Sequence, residues 1–415
     1  MKKSLLKVSS VLIGLAAIGT AYTLPQHTHR SKPPTSQAAK SSSQQDSSLL
    51  SDIFGGKYAS AYSGYDLFIN GSWINTDNAL LKIAQRNSNK NTFLVSGAFQ
   101  LLMSDNLKPQ QSAGTNLQGM EIQTFTTIDS WVHAFTDTVT DPKQFNTTLP
   151  RAFMTFGNLN RSDYYLTIGK KEVSFGQYST SVINVLPEVS NELGGITAKS
   201  VTLGMDNQKQ RLNIRAFIYR PNVQTTDKRN VEGGIDFVKT DGNKKYYSTT
   251  GLSLVTNLAD SWAISSALAN HPLTHRLPAF NVRETFLIPG NNTLVAEYVS
   301  AFNHFSSVDV MTNGHAVRPG VLHIEWNRGI TWLNKPVEFA LGYNRTFNAS
   351  AFNLPQSRFY GVATISPIRR SALSLEINAD QNYSSKDNNV VGGKAVTSQD
   401  GNNHISIYLL AGIYF

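Results

Sequence analysis

The side chains that could do chemistry in this chain stand singly, each opposite apolar neighbours. Arg211 and Arg215 alternate with Leu212, Ile214, Ala216 and Ile218. Glu325 lies opposite Leu322, Ile324 and Trp326, and Glu338 opposite Val337, Phe339 and Leu341. Glu376 and Asp380 lie opposite Leu373, Leu375, Ile377 and Ala379. Charges at this spacing share one face of a strand, where they can attract and orient a polar solute. Patterns that break covalent bonds are missing. There is no His-Glu-x-x-His, no Gly-x-Ser-x-Gly and no phosphate-cradling Gly-Lys-Ser/Thr loop. The nine histidines are scattered. His27 and His29, spaced His-x-His, read as solvated side chains rather than a metal clip. The chain is expected to be no enzyme, with no cofactor and no metal site.

Holding such charges requires strands, and from about residue 63 the chain reads strand, turn, strand. The expected strands are Tyr65–Trp73, Thr92–Met103, Glu121–Thr138 as one long run, Arg151–Gly157, Tyr164–Lys170, Ser200–Met205, Gln210–Tyr219, Val231–Lys239 and Tyr246–Thr256. Ser261–Ala269, Ala279–Ile288, Thr293–Phe302, Gly320–Asn327, Val337–Phe347, Arg358–Ser366 and Ser371–Gln381 follow, and then a closing strand. Tight connections rich in Asn, Asp, Gly and Pro, such as Asp206–Lys209 and Pro289–Asn292, alternate with long polar ones at 303–319 and 382–403. Residues 104–119 read as another long loop. A soluble sandwich shows the same alternation. The long series of strands without covering helices favours a closed wall with lipid outside, since closure removes exposed edges.

Composition agrees. Of 415 residues 40% are apolar and only 16% charged, below the usual quarter, and none is Cys. After an N-terminal segment, no apolar run is long enough for a membrane-spanning helix. Residues 1–21 read as a secretory signal peptide, with Lys2, Lys3 and Lys7 before an apolar core and Gly19-Thr20-Ala21 as the cleavage site. Removing those lysines leaves 34 basic against 28 acidic residues, a net charge of +6 instead of +9. The charges are dispersed, which argues against a nucleic-acid partner. Residues 22–60 are expected to be a disordered periplasmic leader, because 22–52 is Ser-, Gln-, Pro- and Lys-rich. Residues 61–415 then form the barrel. At about 20–24 residues per strand and its share of loop, that length makes about 16 strands, with no plug domain.

The final stretch is the most regular. Ile405, Ile407, Leu409, Ala411, Ile413 and Phe415 share one face, opposite His404, Ser406, Tyr408, Leu410, Gly412 and Tyr414. A terminal Phe with apolar residues at two-residue intervals before it resembles the assembly signal of bacterial outer-membrane proteins. It implies the barrel-assembly machinery as a partner and outer-membrane lipid as the surroundings. This strand is expected to pair with Tyr65–Trp73 and close the sheet. The connection 169–199 is unusually apolar. It folds either into the lumen as a constriction, helped by Lys170 and Lys171, or outside as a packed extracellular lobe or an extra hairpin.

Three features together resemble one family. They are the Ser/Gln-rich leader, the stretch Phe175-Gly176…Leu186-Pro187-Glu188…Glu192-Leu193-Gly194-Gly195, and the ending Leu410-Ala411-Gly412-Ile413-Tyr414-Phe415. The chain looks like the legiobactin-receptor type of siderophore porin over about 60–415. The resemblance implies an outer-membrane barrel of about 16 strands, without a plug, that takes up a ferric siderophore. A general diffusion porin is the alternative. Polycarboxylate siderophores are anionic, so Arg211, Arg215 and Arg283 are the expected attractors, with Glu325 and Glu338 lining the same lumen.

Overall fold

The computed structural model describes Leu81 and residues 92–106, 114–141, 146–176, 189–227, 230–242, 246–269, 271–368, 371–397 and 399–414. The expected signal peptide, the leader, the strand Tyr65–Trp73 and Phe415 lie outside the described residues. Sixteen strands form one closed antiparallel barrel. They are β1 Thr92–Asn106, β2 Gly114–Thr127, β3 Val132–Asp141, β4 Asn146–Gly157, β5 Tyr164–Glu172, β6 Thr197–Asn207, β7 Leu212–Tyr219, β8 Glu232–Gly242, β9 Tyr247–Val255, β10 Ala279–Ile288, β11 Asn292–Ala301, β14 Gly320–Trp332, β15 Lys335–Phe347, β16 Ser357–Ile365, β17 Ser371–Gln381 and β20 Asn403–Tyr414. β12 Val310–Thr312, β13 His315–Ala316, β18 Asn389–Val391 and β19 Lys394–Val396 make a separate small sheet in the order β13-β12-β18-β19.

Alternation places the apolar residues outside. Leu203 (58%), Ile218 (54%) and Phe359 (55%) are exposed on the outer face, while Thr202, Phe217 and Tyr360 beside them are buried inside. That is the wall expected where lipid meets one face. Among the described residues no helix is long and apolar enough to cross a membrane, so the strands do the crossing. The wall closes where β20 pairs with β1, from Ala98 opposite Tyr414 to Asn106 opposite Ser406. The expected partner, Tyr65–Trp73, is thereby corrected to Thr92–Asn106.

The two rims differ sharply. Connections 128–131, 158–163, 208–211, 243–246, 289–291, 333–334 and 366–370 all lie at the rim where the chain enters β1 and leaves β20. The 333–334 turn has positive φ at both Leu333 and Asn334, which matches the twist of a two-residue hairpin. At the other rim lie 173–196, 220–231, 256–278, 302–319, 348–356 and 382–402. Short turns mark the periplasmic rim of such barrels and long loops the outer one.

Three expected elements need correction. Glu121–Thr138 is two strands, because Asp129 accepts from the Trp131 and Val132 amides at 2.5 and 3.2 Å and folds a turn without Gly or Pro. Ser261–Ala269 is a helix over Trp262–Leu268, with Ala263, Ile264 and Leu268 as its buried side. Those spacings fit a helical turn as well as a strand. The expected long loop 104–119 shrinks to 107–113, because β1 and β2 run on into it.

Candidate functional site: the charged inner wall and the loop core above it

Register brings the inner charges together. Arg215 on β7 pairs with Asp236 on β8. Asp236 is fully buried, forms ion pairs with both Arg215 and Arg283 (2.7 Å to the latter), and accepts from the Ser253 hydroxyl at 2.6 Å. Arg283 reaches it from β10 by lying over Gly251 on β9, where a Cβ would come within 2.5 Å of the guanidinium. Buried charges persist only when paired and hydrogen-bonded, and breaking such a pair costs about 3–5 kcal/mol. Arg215 and Arg283 therefore serve the wall, bridging three strands through one carboxylate.

Other inward side chains follow the same design. Arg151 holds Asp137 at 2.6 Å, with Glu121 at 3.5 Å and Glu172 at 3.9 Å. Arg358 forks onto Asp380 at 2.7 and 2.8 Å. Tyr360 lies over Gly342, where a Cβ would strike its ring, and donates to Glu325 at 2.6 Å. His323 stacks on that ring at 6.4 Å, and its Nδ1 pairs with the Asn344 side-chain oxygen Oδ1 at 2.9 Å. Asn281 donates to Glu297 at 2.6 Å and Asn378 to Glu376 at 2.7 Å. Glu338, Asp206 and Lys171 are also buried facing inward. Among the described inward strand residues, Glu121, Asp137, Asp206, Glu232, Asp236, Glu297, Glu325, Glu338, Glu376 and Asp380 outnumber Arg151, Lys171, Arg215, Arg283 and Arg358. The inner wall is acidic on balance.

Two expected lumen residues are elsewhere. Arg211 sits exposed in the 208–211 turn with φ +52°, over the Tyr247 ring at 5.6 Å and donating to the Gly242 carbonyl. The strand starts only at Leu212, so alternation no longer governs it. Lys170 is exposed and pairs with Ala152 on the outer face, donating to the Leu149 carbonyl at 3.0 Å. Lys171, one residue on, takes the inward position.

Above the wall, the long loops pack into one apolar core. Val173, Phe175, Leu193, Ile196, Leu258, Ile264, Leu268, Leu273 and Leu277 cluster with the inward wall residues Phe217, Tyr219, Val255, Val299 and Val321. Burying each large side chain is worth about 1.5–3 kcal/mol. The described parts of the β5–β6 connection, 173–176 and 189–196, pack onto inward wall residues. Its helix Val189–Gly194 meets β11, β14 and β15 on the far side of the barrel. A Cβ on Gly194 would touch inward-facing Val299 at 3.4 Å. Glu192 of this helix has its carboxyl pushed above the ordinary range by burial, opposed by Arg358 of β16. Trp262 seats on Gly195, donating its amide to the Gly195 carbonyl at 2.9 Å and its indole N–H to Thr197 at 3.0 Å.

One carboxylate ties the loops together. Asp260 accepts from the Asn222 and Val223 amides at 2.7 and 2.8 Å, and from Tyr219 and Asn257 at 3.1 Å each. Burial pushes it up to about 6, against the pull of the Val223, Tyr219 and Asn222 donors, with nearby Glu232 adding to the rise. Glu232 in turn pairs with Arg276 at 2.8 Å and anchors the 256–278 loop to β8. Sequence reasoning missed Asp260, Asp236 and Tyr360. Inward-parity glycines opposite a large side chain, as Gly342 is opposite Tyr360, were the available signal.

No family model matches the chain. It is similar to a UPF0422 protein of Coxiella burnetii, 28% identical over 380 residues, spanning 85% of this chain and 80% of that protein. A UPF0422 protein of Legionella pneumophila (strain Paris) is 28% identical over 251 residues, 57% of this chain and 46% of that one. Among solved structures, the anion-selective porin from Comamonas acidovorans superposes with TM-score 0.53 at 10% identity, covering 79% of this chain and all of that one. Pseudomonas putida OprB gives 0.52 at 8% identity, over 83% of this chain and 98% of that one. The closed sixteen-strand wall and these porin likenesses place the chain, by fold, in the bacterial outer membrane.

Proposed function

We propose that the barrel is a gated channel or receptor that passes one class of small polar solute, and that a ferric siderophore is that solute. It is read as a channel rather than an enzyme, assembled into the membrane by the barrel-assembly machinery through its C-terminal strand. The observation that carries gating is the apolar loop core seated on inward wall residues. A general diffusion porin keeps a hydrated passage. Here the rim of long loops carries a packed core whose removal costs burial of many large side chains. A solute that binds the outer surface must supply that energy through its preference for the open form. The siderophore choice rests on the resemblance of the 175–195 stretch and the C-terminal ending.

Growth and radiolabelled iron uptake under iron limitation, in a deletion strain with and without the gene restored, test the proposal. Siderophore-dependent uptake lost on deletion and regained on restoration is the expected result. Equal permeation of unrelated sugars into proteoliposomes, with no iron phenotype, refutes it in favour of general diffusion.

A further inference from the structure

Three cations stand in a row on the outer face of the wall, at the rim of long loops. Lys170 on β5 lies directly opposite Lys199 on β6. Arg220 follows the last residue of β7, and its amide donates to the Lys199 carbonyl at 2.9 Å. All three side chains are exposed. Strand parity turns them outward, because Ile168, Val201 and Ile218, two residues nearer the short-turn rim on the same strands, are exposed on the outer face. Neighbouring strands lie about 4.8 Å apart, so the row spans about 10 Å. Like charges directly opposite one another destabilise a strand pair. Elsewhere the wall answers its cations: Arg151, Arg215, Arg283 and Arg358 each hold a carboxylate. Lys170, Lys199 and Arg220 form no ion pair with a described residue, and Lys170 spends a donor only on the Leu149 carbonyl at 3.0 Å. Glu172, two residues on from Lys170, is turned instead to Arg151 at 3.9 Å, with 9% of its side chain exposed. Unneutralised charge thus lines the upper edge of the apolar belt.

We infer that Lys170, Lys199 and Arg220 bind the phosphate groups of a phosphorylated lipid in the outer leaflet. Ile168, Val201 and Ile218 below them meet its acyl chains. Lysine supplies point charges and arginine a planar fork, and both suit phosphate oxygens. A phosphate seated between the strands removes the repulsion between Lys170 and Lys199. Position at the long-loop rim sets the leaflet, since that rim faces outward. Lipid A, a diphosphorylated sugar carrying acyl chains, has this chemistry. The row lies outside the lumen, so the inference stands whichever solute the barrel passes.

The test measures binding of fluorescent lipid A to the purified full chain in detergent, at one ionic strength. The parent protein should bind it saturably. A basic side chain near an anionic lipid surface is worth about fivefold in affinity, so Lys170→Gln, Lys199→Gln and Arg220→Gln combined should weaken binding about a hundredfold. The single variants Lys170→Gln and Lys199→Gln should each lose about fivefold, which keeps the test open if the triple variant does not fold. Lys335→Gln, which removes an exposed cation at the short-turn rim, should bind as the parent does. Dephosphorylated lipid A should bind at least tenfold more weakly than the phosphorylated form. No saturable binding by the parent overturns the inference, as does undiminished affinity in whichever variants fold. Equal loss in Lys335→Gln would show attraction to net charge alone and overturns it too. Equal binding of the dephosphorylated lipid would make the apolar belt the whole contact. Displacement by inorganic phosphate at the lipid's own concentration would mark a free-anion site, and either result overturns the lipid reading.

Discussion

Replacing Asp260 by Ala tests whether the loop core is a cover held by one carboxylate. The change removes the acceptor of two backbone amides, Asn222 and Val223, and of Tyr219 and Asn257. Tyr219 retains the Asn257 carbonyl at 3.3 Å, so the two backbone amides and the Asn257 side-chain N–H bear the loss. A buried donor left unsatisfied costs about 1–3 kcal/mol. Water entering the gap reduces this, and about 3 kcal/mol in total is the expected shift toward the lifted cover. At 1.4 kcal/mol per decade, that raises the lifted population about a hundredfold. Limited proteolysis within 220–231 and 256–278 reads that population directly. Cleavage should accelerate about a hundredfold while the barrel itself unfolds at an unchanged temperature. Cleavage within threefold of the parent rate would refute the tie. The pH dependence follows from the same residue. Its folded value of about 6 lies above its ordinary 3.8, so folding favours the protonated form. That contribution is fully present below 3.8 and is lost as pH rises through about 6. The gap corresponds to about 3 kcal/mol. The parent cover should be cleaved faster at pH 7.5 than at pH 5, and Asp260→Asn should abolish this difference.

Two further outcomes are expected. Gly342→Ala should destabilise the barrel by about 2–4 kcal/mol in urea unfolding, because its Cβ displaces Tyr360 from Glu325. The same change in a Tyr360→Ala background should cost under about 1 kcal/mol, and equal costs in both backgrounds would show that the ring is not the cause. Deleting Phe415 should lower the amount of protein in the outer membrane several-fold while leaving the melting temperature of the assembled remainder within a few degrees of the parent. Normal surface levels would refute its role in assembly.

The barrel was legible because its signal is local and repeated. Alternation of the kind seen in Ser371–Gln381 and Asn403–Tyr414 depends only on the two-residue period of a strand, and both strands stand as expected. Where the period is ambiguous, sequence reading slipped. Trp262–Leu268 is as apolar as a strand yet forms a helix, because its neighbours are loop residues in a core and not a wall. Arg211 alternates correctly with Leu212 and Ile214, but the turn ends alternation one residue earlier. Arg215 and Arg283 do face inward, yet their shared partner Asp236 lies on another strand.

The sequence by itself determined the wall: strand period, apolar outer face, approximate strand number and the asymmetry of the connections. Each depends on residues within a few positions of one another, so one chain suffices to read them. Tertiary structure alone decided which charges neutralise one another and which loop residues pack against the inner wall. Asp236 meets Arg283 across 47 residues and Asp260 meets the Asn222 amide across 38. Such contacts depend on barrel closure and on side chains leaning over glycines, and neither has a period that a sequence can display.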